Sequence, residues 1–118
     1  MTPVTIYHNP RCSKSRETLA LLRENGVEPE IVLYLETPPD AAALKGMLEK
    51  LGFTSARALM RTKEPLYRSL ELGNTSLSEE KLLAAMAAHP ALIERPIVIA
   101  GNQARLGRPP EQVLEIVI

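Results

Sequence analysis

The chain has no tryptophan, a single phenylalanine and three tyrosines among its 118 residues. Its core must therefore be aliphatic, and a platform of stacked aromatics for RNA or single-stranded DNA is disfavoured. Cys12 is the only cysteine, so no internal disulfide can form, which fits a reducing cytoplasm. Neither sign of charge is in excess: 14 Lys and Arg stand against 14 Asp and Glu. That balance gives no bulk electrostatic reason to expect nucleic acid or an anionic membrane as partner, and any anion site must be assembled locally. No apolar run approaches the ~18 residues of a membrane span, and the N-terminus lacks a signal-peptide core. Internal repeats, low-complexity tracts and long linkers are also missing, so one domain over residues 1–118 is expected.

What is present is a clear sequence of elements. Val4-Thr5-Ile6-Tyr7 is β-rich and alternating and reads as a strand closed by Asn9-Pro10. From Ser13 or Ser15, the residues Thr18, Leu19, Leu21 and Leu22 recur at helical spacing until Gly26, a residue suited to follow a helix end. Glu30 to Leu35 reads as a second strand, giving a βαβ opening with a parallel crossover. Thr37 is expected to cap a helix that begins at Pro38 and carries Leu44, Met47, Leu48 and Leu51 before Gly52. Short helical turns follow near 55–60 and 65–72. Another helix is expected from Ser78 towards His89, with Leu82, Leu83 and Met86 inward and Pro90 as its stop. Pro96 to Ala100 is an apolar strand, Gly101-Asn102 a hairpin turn and Gln103 to Leu106 a polar strand. Pro109 is placed to open a last helix containing Val113, Leu114 and Val117. The order βαβ, helices, ββα predicts an α/β fold: a thioredoxin-like mixed sheet with a helical insertion and its site near the end of the first strand.

The chemistry centres on His8-Asn9-Pro10-Arg11-Cys12-Ser13-Lys14-Ser15-Arg16. A cysteine after a strand and at a helix N-terminus faces unpaired N–H groups and the positive end of the helix dipole. Both favour thiolate over thiol, as do nearby Arg and Lys, so a lowered pKa is expected. A buried, inert cysteine is the bland alternative. His8 could tune the thiolate or be structural. Ser13 and Ser15 could donate to the sulfur or cap the helix. Arg61, Arg95 and Arg108 sit beside apolar or proline-rich turns. Each could form a surface ion pair, or supply the planar fork that suits an oxyanion.

Four ordered motifs resemble the glutaredoxin-coupled arsenate reductases: the His8–Arg16 segment, "RALMR" ending at Arg61, "HPALIERPIV" with Arg95, and "ARLGRP" with Arg108. The resemblance covers essentially the whole chain and extends to the related Spx-type regulators, which bind RNA polymerase. It implies that Cys12 is the nucleophile, assisted by His8 and Ser15, and that Arg61, Arg95 and Arg108 hold the arsenic oxyanion. Pro96 matches the cis-proline beside the active site of thioredoxin-like folds. The implied activity is arsenate detoxification in the cytoplasm. Cys12 would form an arsenic adduct, and with no second cysteine in the chain, external thiols would resolve it: glutathione as co-substrate, then glutaredoxin. The implied mechanism needs no metal or bound cofactor, and the charge balance and hydropathy already argue against nucleic acid and membrane as partners. Two other functions remain open: a thiol-dependent reductase of another substrate, and an Spx-like regulator. Against the second, Ser15 stands where the C-x-x-C switch common in those regulators would need a cysteine.

Overall fold

The computed structural model describes residues 3–117. Four strands form one mixed sheet in the order β2-β1-β3-β4, with β1 at Val4–Tyr7, β2 at Glu30–Val32, β3 at Ile97–Ala100 and β4 at Gln103–Leu106. β1 pairs with β2 in parallel and with β3 antiparallel, Ile6 lying opposite Ile31 and Val98; β3 and β4 form the antiparallel hairpin across Gly101-Asn102. The expected thioredoxin-like order of elements is present. Helix α1 (Ser13–Glu24) supplies the crossover. Its end is closed by Gly26, whose φ of 79° lies in the left-handed region that glycine adopts at little cost.

Two compact units divide the chain. One joins the segment up to Thr37 with the segment from Arg95 onward, and the other spans Pro38–Glu94. In the first, Ile6, Leu19, Leu22, Val98 and Val113 form the buried core. These are the inward residues of β1, α1 and β3 together with one from the C-terminal turn, so the period-two and helical patterns meet on one face.

The second unit is helical: α2 (Ala41–Leu51), α3 (Pro65–Ser69) and α4 (Glu79–Ala88), with 3₁₀ turns at Ala56–Leu59 and Pro90–Leu92. Leu44, Met47, Leu82 and Met86 are all buried, as their spacing predicts. Ser78 caps α4 by accepting the Lys81 N–H at 3.2 Å, and α4 stops before Pro90, with His89 at φ −132° and ψ 78°. Arg57 is a structural clasp: its Nε donates to the Leu72 carbonyl at 3.1 Å and its Nη2 to that of Asn74.

Three sequence expectations need correction. Thr37 does not cap α2; its hydroxyl donates back to the Leu33 carbonyl at 3.2 Å, and Asp40 is the cap, accepting the Ala43 N–H at 2.8 Å. Pro39 explains the shift, because the residue before a proline is pushed out of helical geometry and Pro38 cannot start the helix. The second strand ends at Val32 rather than Leu35, since the Leu33 carbonyl accepts the N–H groups of Glu36 and Thr37 in a turn. The last helix begins as a 3₁₀ turn at Pro110–Val113 and becomes α5 only over Leu114–Val117.

Leu22 is fully buried at the centre of the first unit's core. Leu22→Ala is expected to cost roughly 2–5 kcal/mol, read as a fall in the urea midpoint with an unchanged slope. A loss well under about 1 kcal/mol would show that α1 is not packed as described.

Candidate active site

The site begins where β1 runs out. His8 still donates its N–H to the Val32 carbonyl at 2.8 Å, and the chain then folds through Asn9-Pro10-Arg11-Cys12. Asn9 organises this turn: its Oδ1 accepts the Arg11 N–H at 3.0 Å and its carbonyl accepts the Cys12 N–H at 3.0 Å. Pro10 suits the second turn position because its φ is already fixed. Arg16 ties the turn to the helix, its Nη1 donating to the Pro10 carbonyl at 2.8 Å. Cys12 is the N-cap of α1, with an extended backbone at φ −94° and ψ 123°.

This position gives the sulfur its acidity. Cys12 is only 9% exposed, and burial by itself pushes the thiol up. That effect is outweighed by the Ser15 N–H, the hydrogen bond and charge of the Arg95 guanidinium, and the Lys14 N–H, which together hold the thiol below its ordinary value. The two amides belong to the first turn of α1, where N–H groups have no partner within the helix. A second guanidinium is close by: Arg108 Nη2 is 4.0 Å from Cys12 Sγ, while its Nε donates to the Arg95 carbonyl at 2.8 Å. One arginine's backbone thus steadies the other's fork. Arg95 leads into β3 and Arg108 follows β4, so the hairpin register brings both to the same end of the sheet. The Arg95–Pro96 and Arg108–Pro109 peptide bonds are both cis. The first was expected at Pro96; the second was not.

His8 is 6% exposed and Ser15 fully buried, and His8 Nδ1 lies 2.6 Å from Ser15 Oγ. The same hydroxyl accepts the Asn9 N–H at 3.0 Å. The side chain of Ser15 therefore serves the loop, and its backbone serves the sulfur. Burial lowers the His8 pKa, helped by the charges of Arg23 and Arg16, so the imidazole is neutral near pH 7. Arg61 belongs to the helical unit, where its Nη1 pairs with Glu64 Oε2 at 3.0 Å and its N–H donates to the Leu92 carbonyl at 2.8 Å. Among the described residues no cluster of three His, Cys, Asp or Glu could hold a metal.

The sequence reading missed how tightly Gly107 is packed. A side chain there would meet Thr18 and Pro96. The glycine inside "ARLGRP" was the available signal.

A four-stranded mixed sheet with one acidic thiol at its strand-to-helix junction, beside two arginines that each precede a cis-proline, defines a thioredoxin-like thiol protein. The chain belongs to the ArsC family, whose model matches residues 7–116. It is 53% identical to an arsenate reductase of Neisseria meningitidis serogroup B, over 96% of this chain and 97% of that protein. It is 69% identical to the uncharacterized protein YfgD of Escherichia coli K12, over 97% of this chain and 96% of that one. A solved structure of an arsenate reductase from Vibrio cholerae is 59% identical, with a TM-score of 0.96 and 98% of both chains covered.

The depressed His8 pKa makes stability depend on pH. Unfolded, the imidazole takes up its proton near ~6.5; folded, it does so only at lower pH. Between those values the unfolded chain holds more protons, so the contribution present above ~6.5 is lost on acidification. The urea midpoint should fall between about pH 7 and about pH 5.5, and fall less in His8→Gln, which cannot titrate. Equal falls in both proteins would remove His8 as the cause.

Proposed function

We propose that this protein is a cytoplasmic reductase that converts arsenate to arsenite through a Cys12–arsenic adduct resolved by glutathione and glutaredoxin. The observation that carries this reading is the buried Cys12 sulfur, kept acidic by the Ser15 and Lys14 amides and Arg95, with Arg108 at 4.0 Å. The 53% identical arsenate reductase of Neisseria supports the choice of substrate.

In this mechanism the Cys12 thiolate attacks As(V) and a hydroxide departs, forming the S–As bond. Arg95 and Arg108 neutralise the oxyanion as charge develops on it. The resemblance adds Arg61 to the oxyanion ligands. Ser15 acts through its amide on the sulfur, and His8 is its positioning partner, holding the Ser15 hydroxyl at 2.6 Å. Reduction to As(III) takes an electron pair as the Cys12 sulfur and one external thiol join in a disulfide, and a second external thiol then regenerates Cys12. Glutathione supplies the first, forming a mixed disulfide as arsenite leaves, and glutaredoxin restores the cysteine. Phosphate matches arsenate in charge and shape, so arginines alone cannot reject it. Selection rests on the readier formation of a thiol ester by arsenate. No resident metal or organic cofactor takes part. A lone cysteine of this kind stays reduced in the cytoplasm. Among the described residues no helix is long and apolar enough to cross a membrane.

Purified protein with arsenate should turn over only when both glutathione and glutaredoxin are supplied. Arg95→Ala and Arg108→Ala should each lower kcat/KM roughly 10- to 150-fold, the worth of one charge-assisted hydrogen bond. Lysine at either position should restore only part of the loss, because an ammonium lacks the fork. Turnover with thioredoxin and not glutaredoxin would reassign the reductant. An inert response to arsenate beside a reactive Cys12 would assign the scaffold to another substrate.

A further inference from the structure

Gly107 is buried between the end of β4 and Arg108. A Cβ built there would lie 2.3 Å from Thr18 Oγ1, 2.7 Å from Pro96 Cγ and 3.1 Å from Thr18 Cγ2. Its φ is not in the left-handed region, where only Gly26, Gly52 and Gly101 lie among the glycines. The restriction at this position is therefore one of space and not of backbone conformation.

Neither neighbour can give way easily. Thr18 is fully buried on the inner face of α1, β-branched and stiff, and its hydroxyl is committed to the Lys14 carbonyl at 2.7 Å. Pro96 is a buried ring, and its carbonyl accepts the Gly107 N–H at 3.0 Å. Gly107 therefore lets the chain leaving β4 lie close to α1 and to the Pro96 segment at once. The Pro96 segment carries Arg95, and the chain leaving β4 carries Arg108 next to Gly107 itself. At the head of the same helix is Cys12.

We propose that Gly107 is a positioning residue: by having no side chain, it sets how closely the Arg95–Arg108 pair approaches the Cys12 sulfur, with Thr18 as the stop against which the approach is gauged. A methyl group at 107 would force the end of β4 away from Thr18 and push the Pro96 segment aside, drawing both guanidinium groups off the sulfur. The same displacement would loosen the grip on a bound oxyanion. The inference rests on Cys12 working as a thiolate, but titrating the sulfur requires no substrate, so it does not depend on arsenate being turned over.

The experiment is the absorbance titration of Cys12 near 240 nm in wild type, Gly107→Ala and Gly107→Ala/Thr18→Ala, each corrected with its Cys12→Ser counterpart. Gly107→Ala should raise the thiol midpoint by about one pH unit, the lower end of what a neighbouring opposite charge contributes. Removing the Thr18 side chain in that background should recover at least part of the shift. Leu22→Ala serves as a control, since it weakens the fold away from the site and should leave the midpoint in place. If Gly107→Ala yields no folded protein, the comparison becomes Thr18→Ala against the double variant. There the remaining contact with Pro96 should still raise the midpoint. Equal midpoints in that pair, or in wild type and a folded Gly107→Ala, would overturn the inference while leaving the thiolate reading intact. An ordinary thiol midpoint in the wild type would overturn both.

Discussion

The site depends on one opposition: burial against donation at the Cys12 sulfur. Taking a thiol out of water favours its neutral form, and Cys12 is almost wholly enclosed. Two helix N–H groups and the Arg95 guanidinium reverse that preference. The same enclosure that penalises the charge also strengthens each donor, because opposite charges attract more in a low-dielectric surrounding than in water. The thiolate is thus stabilised by its position in the fold. The depressed pKa of His8 is consistent with this, since a neutral imidazole contributes no charge to the thiolate. Its part is to hold the hydroxyl of Ser15, whose amide reaches the sulfur.

The fold supplies these donors from segments far apart in sequence. β1 delivers the Cys12 loop to the head of α1, and the β3–β4 hairpin returns two arginines to the same place. The hairpin register makes this possible: Ile97 faces Leu106, so residues just outside each strand, Arg95 with Pro96 and Gly107 with Arg108, are neighbours. The Gly107 N–H donates to the Pro96 carbonyl and extends the ladder into the site, where the Arg108 side chain adds a bond from its Nε to the Arg95 carbonyl. A rigid hairpin end is well suited to aiming guanidinium groups, because most of the cost of ordering them is met by the sheet.

How much of this could be read from the sequence follows from the range of the interactions. The strand at Val4–Tyr7, the Leu19 and Leu22 face of α1, the Ser78 cap and the Gly101-Asn102 turn are local patterns, and all are present. The cap of α2 lies at Asp40 and not at the expected Thr37 because the effect of Pro39 on Pro38, which is not a local propensity, decides where the helix can begin. The continuous apolar run from Ile31 to Leu35 does not reveal where strand becomes turn. At the site, the residue types of a thiolate–arginine centre were visible, but directions were not. Nothing in the sequence separates the hydroxyl of Ser15, aimed at His8, from its amide, aimed at Cys12. Arg61 and Arg57 share one motif, and the clasp formed by Arg57 emerges only from its distant carbonyl partners. Gly107 has the same character, since its importance is a contact with Thr18 on another element.

The most direct measurement is the pH titration of the Cys12 thiolate in the wild-type protein and in Arg95→Ala, with Cys12→Ser subtracted. The balance described here predicts a wild-type midpoint clearly below the ~8.5 of a free thiol. It also predicts a rise of about one unit or more when the Arg95 guanidinium is removed. A wild-type midpoint at or above about 8.5, or one that Arg95→Ala leaves unchanged, would contradict the account.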